Sequence, residues 1–185
     1  MRSEYTARRN ALGADTTWRI GGEALEVHQG SGAVLRIPFD EVRSLNLRFH
    51  PTRYALQRCR CRVRGASAST TIDSVSYRGF LDFEDRAEAY TLFVNGLVDA
   101  LSDGEAAFTC GASPPAYIAT ALLALGVVPI LVLVVGWYLL SAGLSALLAV
   151  KVLLLLAMSP TLWRYLTRNK PGRFEPGHIP PSALP

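Results

Sequence analysis

One long apolar run constrains this chain more than any other feature of its sequence. From Ala116 to Trp163 the only charged residue is Lys151. As one straight helix the run would be about 70 Å long, more than twice the roughly 30 Å thickness of a bilayer's hydrocarbon core. The run therefore predicts a transmembrane hairpin of two helices, at about 116–138 and 143–164, joined near Gly136–Gly143.

The residues that flank the run predict its orientation. The turn carries no Lys or Arg, whereas four basic residues follow the second helix, and cytoplasmic loops are enriched in such residues. The tail is therefore expected in the cytoplasm, and two spans would place the N-terminus on the same side. The N-terminus also lacks the apolar segment of a signal peptide, which agrees with this orientation. The expected anchors at the membrane interface are Trp137, Tyr138, Trp163, Arg164, Tyr165, Arg168 and Lys170.

Lys151 is the residue of this run that bears most directly on function. A charge within a bilayer costs roughly 2.5–3.5 kcal/mol on insertion scales. Three roles are open: the side chain reaches the interface, it contacts a carboxylate of a partner membrane protein, or it carries protons or substrate. The predicted spans contain no Asp or Glu, so an acidic partner would have to come from another chain.

The N-terminal part of the chain has the pattern of a small β-rich domain. Residues 17–83 alternate short apolar stretches with turn signals at roughly 8–12 residue spacing, which is typical of an antiparallel barrel or sandwich. Residues 83–102 change to a helical period. The apolar face of this predicted helix consists of Tyr90, Phe93, Val94, Leu97, Val98 and Leu101. The expected fold class is α+β: an antiparallel barrel of about seven strands capped by one C-terminal helix, plus the transmembrane hairpin.

This order of elements resembles the pleckstrin-homology-like (PH-like) fold over residues 17–102. The passage IPFDEV at 37–42 looks like a connection common in bacterial PH-like domains. With the apolar run and the Pro-rich tail, the whole chain looks like small bacterial PH-domain membrane proteins. The resemblance implies a lipid- or protein-binding scaffold rather than an enzyme. The first hairpin loop, Gly21–Glu23, lacks the basic cluster that grips inositol phosphates.

The expected organisation has five segments. They are an N-terminal arm (1–16), a PH-like domain (17–104), a linker (105–115), the hairpin (116–164) and an extended, Pro-rich cytoplasmic tail (165–185). The tail carries three apolar residues, Phe174, Ile179 and Leu184. They are expected to dock either on this chain's own domain or on a partner.

An alternation of arginine with small apolar residues is the strongest local pattern. On a strand, Cys59, Cys61 and Val63 would face the core, because successive side chains point to opposite faces. The outward stripe would consist of Arg58, Arg60, Arg62 and Arg64. This stripe either contacts anionic lipid or an acidic partner, or is neutralised by cross-strand acids. The candidate acids are Asp73, Glu26 and Asp82.

No catalytic, metal or cofactor site is expected. The sequence contains no nucleophile elbow and no phosphate-binding loop, and its three cysteines lack metal-ligand spacing. Nucleic acid is not an expected partner, since no aromatic residues interleave the stripe. The sequence predicts a non-enzymatic bacterial inner-membrane protein, multi-pass, that acts as an accessory or interaction subunit of a larger membrane protein assembly. The alternative is a stand-alone membrane protein that senses anionic lipid. The expected partners are the lipid bilayer, a membrane protein and, under the alternative, anionic lipid.

Overall fold

The structure is a computed structural model. It describes residues 3–11, 13–52, 54–80, 82–127, 129–130, 132–133, 136–137 and 160–185. The chain forms two compact units: Met1–Gly111 together with Pro171–Pro185, and Ala112–Lys170. The first unit thus contains both ends of the sequence.

The first unit is built mainly from short strands. They are β1 (Glu4–Ala7), β2 (Thr16–Ile20), β3 (Ala24–Gln29), β4 (Val34–Pro38), β5 (Val42–Phe49), β6 (Cys59–Gly65), β7 (Ser69–Asp73), β8 (Val75–Gly79), β9 (Asp82–Asp85), β10 (Ala107–Cys110) and β11 (Gly172–Arg173). Short 3-10 turns cover Phe39–Glu41 and Pro181–Ala183. Helix α1 covers Ala87–Ala100.

The strands form three sheets. The first sheet is an antiparallel meander in the order β1-β2-β3-β4. The second sheet has the order β11-β10-β5-β6-β7, in which β10 runs parallel to β5 and the other pairs are antiparallel. Strands β8 and β9 form a separate hairpin. Gly32 closes the β3–β4 turn with φ +86°, a conformation that favours glycine.

Alternating side chains of the two larger sheets and one face of α1 form the core of the first unit. Trp18 and Leu25 of the first sheet are buried there, as are Leu45 and Leu47 of the second. Of the helix predicted over 83–102, residues Ala87–Ala100 form α1, whereas residues 83–85 belong to β9. The buried positions of α1 are Tyr90, Phe93, Val94, Gly96, Leu97 and Val98.

Most of the C-terminal tail, Pro171–Pro185, is part of the first unit. Strand β11 pairs with β10, and the ring of Phe174 lies 5.7 Å from that of Phe108, measured between centroids. Ala183 is buried, and Ile179 and Leu184 pack against the same core. The sequence left two docking sites open for the apolar residues of the tail, this chain's own domain or a partner. In the structure they pack against this chain's own domain.

The predicted single barrel of about seven strands capped by one helix is wrong. Strands outside 17–102 complete both large sheets: β1 from the expected N-terminal arm, β10 from the expected linker and β11 from the tail. Each has four residues or fewer. Such segments are too short to show a strand period, and they are ordered by pairing with longer neighbours.

The second unit contains helix α2, Pro114–Leu122, followed by a π-type turn at Leu123–Val127. Residues 160–168 are also helical. The N–H of Ala112 donates to the carbonyl of Asn169 at 3.0 Å. The two ends of this unit are therefore hydrogen-bonded to each other.

The predicted transmembrane hairpin is contradicted, and with it the multi-pass inner-membrane localisation. In the described residues, no helix is both long enough and apolar enough to cross a membrane. Helix α2 has nine residues, which is about 14 Å against the roughly 30 Å of a hydrocarbon core. Helix α2 is followed directly by the π-type turn at Leu123–Val127, ahead of Pro129, which has no N–H to donate to the carbonyl of Leu125. Residues 138–159 lie outside the described part of the chain.

Candidate functional site

The outer face of the second sheet carries most of the exposed polar chemistry that the sequence singled out. Leu45, Leu47, Cys61 and Val63 are buried on the inner side of β5 and β6. Their neighbours must face outward, because side chains alternate along a strand. We call this outward surface the basic face. It consists of Ser44, Asn46, Arg48, Arg60, Arg62, Arg64, Ser69, Thr71, Asp73, Thr109 and Arg173.

The register of the strands orders the basic face into rows, because directly paired residues share a face. The central row contains Arg173, Thr109, Asn46, Arg62 and Thr71. A second row contains Ser44, Arg64 and Ser69, and a third contains Arg48, Arg60 and Asp73. Five guanidinium groups thus share one face with a single carboxylate.

Asp73 neutralises one end of this face. Its side chain is 1% exposed, and its oxygens lie 2.6 Å from Arg58 and 2.7 Å from Arg60. Arg9 approaches the same carboxylate at 3.5 Å. Burial alone would raise the pKa of Asp73, but the hydrogen bonds from both stripe arginines outweigh burial and lower that pKa. The carboxylate is therefore ionised and fixed in place.

The backbone around Asp73 reinforces this arrangement. The hydroxyl of Tyr5 donates to the carbonyl of Asp73 at 2.7 Å, and the N–H of Cys59 donates to the Ser74 hydroxyl at 2.9 Å. The side chain of Arg58 is only 11% exposed. Arg58 and Arg60 consequently serve the sheet's own structure.

Arg62 and Arg64 have different surroundings from the other two members of the stripe. Both side chains are exposed. Across the described residues neither forms an ion pair, and their direct neighbours on β7 are Thr71 and Ser69. The other two predicted neutralising residues lie in other sheets: Glu26 is on β3, 3.5 Å from His28, and Asp82 is on β9. The structure therefore divides the predicted stripe into a neutralised pair and an exposed pair.

His50 lies at the end of the basic face that contains Asp73, and nearby charges affect the pKa of its imidazole. It follows β5 directly, and its backbone N–H donates to the carbonyl of Arg58 at 2.8 Å. Burial lowers the pKa of the imidazole, and the neighbouring Arg60, Arg58 and Arg48 lower it further. The carboxylate of Asp73 raises this pKa by less than the three arginines lower it, so the electrostatic potential at His50 is positive.

Sequence reasoning missed three contributors to this region. Arg173 reaches the central row only because the tail pairs with β10. The Asn46 amide donates to the Thr109 hydroxyl at 3.0 Å, which ties β5 to β10. Arg9 comes from the β1–β2 loop. Only tertiary pairing brings these residues to the face, and the local sequence carries no signal for it.

The remaining predicted site residues either belong to the second unit or lie outside the described residues. Lys151 and Tyr138 belong to the latter group. Trp137 and Trp163 are exposed. Arg164 and Lys170 are exposed, whereas Tyr165 and Arg168 are half-buried. An anchoring role for these residues depended on the predicted spans, and it loses that support.

The thiols and acidic groups of the described residues do not converge. Cys59 and Cys61 are buried, and burial raises the pKa of Cys61 and of the half-buried Cys110. Within the described ranges, no three His, Cys, Asp or Glu side chains are placed to hold a metal ion. The basic face is therefore the candidate site.

No family model, no curated protein and no solved structure matches this chain. What the chain does must therefore be inferred from its own residues.

Proposed function

We propose that this chain is a non-enzymatic interaction subunit that binds an acidic partner protein through the basic face. One observation carries the proposal. Arg62 and Arg64 are exposed in the middle of a sheet face whose carboxylate, Asp73, is already bound by Arg58 and Arg60. Arg62 and Arg64 form no ion pair among the described residues, and a partner protein can supply the carboxylates.

The geometry of the face suits carboxylates on a protein chain. Alternate residues on one face of a strand are about 7 Å apart, so Arg62 and Arg64 have that spacing. Carboxylates two residues apart on an extended partner have the same spacing. Guanidinium groups bind carboxylates in a two-pronged geometry.

Charge complementarity at such a face chiefly governs partner choice and association rate. An acidic partner would be drawn to the exposed Arg62 and Arg64, and the attraction would weaken with salt because exposed charges are screened. A basic partner would be repelled. The face therefore selects partners by charge as well as by shape.

The test is a charge reversal with a matched control. Full-length wild type, Arg62→Glu/Arg64→Glu and Arg36→Glu/Arg78→Glu are purified from native extracts, and co-purifying proteins are quantified by mass spectrometry. Arg36 and Arg78 are exposed residues outside the basic face, so both variants change the net charge equally. We expect one stoichiometric acidic partner, retained by the control and lost from the basic-face variant. Equal recovery with all three proteins would contradict the proposal.

Vesicle sedimentation tests the lipid alternative that the sequence left open. The proposal predicts that wild type and the basic-face variant pellet equally with vesicles containing phosphatidylglycerol. If the wild type pellets with these vesicles and the variant does not, the basic face binds lipid headgroups. The protein-partner proposal would then be wrong.

A further inference from the structure

The edge of the second sheet next to the basic face exposes strand backbone. Strand β7 is the last strand of this sheet in the described part of the chain, paired with β6 and with no strand on its other side. The N–H of Gly65 donates to the carbonyl of Ala68, and the N–H of Ser74 donates to that of Cys59. Hydrogen-bonded and non-hydrogen-bonded pairs alternate along an antiparallel ladder. The backbone groups of Ser69 and Thr71 therefore point away from β6, toward the open edge.

The other sheet edges carry the usual protections against strand addition. Strand β4 contains an exposed Arg36 and ends in Pro38, and β11 has only two residues. The β8–β9 hairpin covers the chain just after β1, where the N–H of Tyr77 donates to the carbonyl of Arg8. Strand β7, with the sequence STTID, has no proline and no charge before Asp73. Among the edges of the two larger sheets in the described residues, β7 is the one whose own sequence lacks such a feature.

A slot of about 270 Å³ runs beside this edge, between β7 and the first sheet. Its walls include Trp18, Val27 and Leu35 on one side and Thr70 on the other. The Trp18 indole N–H donates to the Thr70 hydroxyl at 2.8 Å, which fixes the width of the slot at that point. A strand added to β7 would direct alternate side chains into this slot, where small side chains such as threonine fit.

The opposite side chains of an added strand would lie over the basic face. Neighbouring strands are about 4.8 Å apart, and Ser69 and Thr71 are small. The longer side chains of Arg62 and Arg64, which are in register with Thr71 and Ser69, can therefore extend across β7. An acidic residue at every second position of the added strand would meet them.

We propose that the partner docks by adding an extended segment, with a carboxylate at every second residue, to the free edge of β7. The inference rests on the proposed function and specifies its binding mode. Main-chain hydrogen bonds to Ser69 and Thr71 align the segment, and Arg62 and Arg64 select its charge.

The probe is an end-capped eight-residue peptide that alternates glutamate with threonine, titrated against the full-length chain by calorimetry. Thr71→Pro removes the edge-facing N–H and leaves the ladder with β6 intact, because proline is tolerated where an edge N–H faces solvent. Thr71→Val is the matched control, since it keeps the backbone N–H. We expect Thr71→Pro to weaken binding by at least about tenfold, because a backbone hydrogen bond is lost and the proline ring projects from the edge. We expect Thr71→Val to bind like wild type.

Amide exchange of the wild type supplies a measurement that needs no variant. On peptide addition, the N–H groups of Ser69 and Thr71 should become protected, whereas that of Thr70, which faces β6, should not change. Protection confined to other strands would overturn the inference.

The outcomes separate the binding mode from the proposed function. If Arg62→Glu/Arg64→Glu loses the peptide while Thr71→Pro keeps it, the basic face binds acids but strand addition is wrong. If neither substitution weakens binding, or the peptide does not bind the wild type, the binding mode falls. If Arg62→Glu/Arg64→Glu also keeps its native acidic partner, the proposed function is wrong as well.

Discussion

Asp73 is the residue that holds the basic face together. It is a buried carboxylate with two close guanidinium partners, and removing one member of such a group leaves an uncompensated buried charge. The same contacts remove Arg58 and Arg60 from the set of groups that can bind a partner. One acid therefore determines both the stability of the sheet and which arginines remain exposed.

Asp73→Asn is expected to lower the free energy of unfolding by about 3 kcal/mol, because Arg58 would be left buried without its counter-charge. Urea unfolding followed by circular dichroism measures the change. Asp82→Asn is the control, since Asp82 is exposed and should shift stability by less than about 0.5 kcal/mol. Equal effects of the two substitutions would show that the buried ion pairs contribute nothing specific.

The same residue predicts an acid dependence of stability. The pKa of Asp73 is lowered in the folded state relative to the ordinary value of 3.8. Below that value the unfolded chain binds a proton that the folded chain does not, so this contribution to stability is complete above pH 3.8 and is lost as pH falls toward the folded-state pKa. Unfolding measured between about pH 6 and about pH 3 should therefore show a smaller acid loss in Asp73→Asn than in wild type. Parallel curves would contradict the assignment.

At the scale of elements, the longer segments could be predicted from the sequence and the short ones could not. The alternation in Arg58–Arg64 predicts a strand with a basic outer side, and β6 has that form. The helical period predicts α1. By contrast, β11 has two residues, and nothing local marks them as a strand. Their pairing with β10 depends on tertiary contacts of the tail, above all those of Phe174.

Phe174→Ala tests how much the tail contributes to the first unit. The side chain is 9% exposed and packs against Phe108, so the substitution should lower the free energy of unfolding by about 3 kcal/mol. Phe80→Ala is a matched control because Phe80 is 88% exposed. Hydrogen exchange should show β10 losing protection in Phe174→Ala alone. Unchanged stability would mean that the tail is not an integral part of this unit.

At the scale of the whole molecule, the basic face is assembled from distant parts of the sequence. Strands β5, β6 and β7 come from the middle, β10 follows α1, and β11 comes from the tail. The sequence predicts the stripe on β6 and offers Asp73 as one candidate to neutralise it. It predicts neither which arginines Asp73 binds nor the arrival of Arg173, because both depend on strand order. The apolar run led to a wrong prediction, since its composition predicted spanning helices and no helix of the described residues is long and apolar enough to cross a membrane.

Zero-length cross-linking tests the central claim, contact between the basic face and acidic groups of a partner, most directly. The sequence contains only two lysines, Lys151 and Lys170, so Arg62→Lys/Arg64→Lys keeps the charge and introduces amines that carbodiimide joins to carboxylates in contact. Cross-links in the co-purified complex are mapped by mass spectrometry, with Arg36→Lys/Arg78→Lys as the control.

We predict cross-links from positions 62 and 64 to Asp or Glu of the partner, and none to the partner from positions 36 and 78. A cross-link within this chain is expected at position 78, because Arg78 lies 3.5 Å from Glu84. Cross-links to the partner from the control positions, with none from 62 or 64, would show that the partner binds elsewhere and would contradict the account.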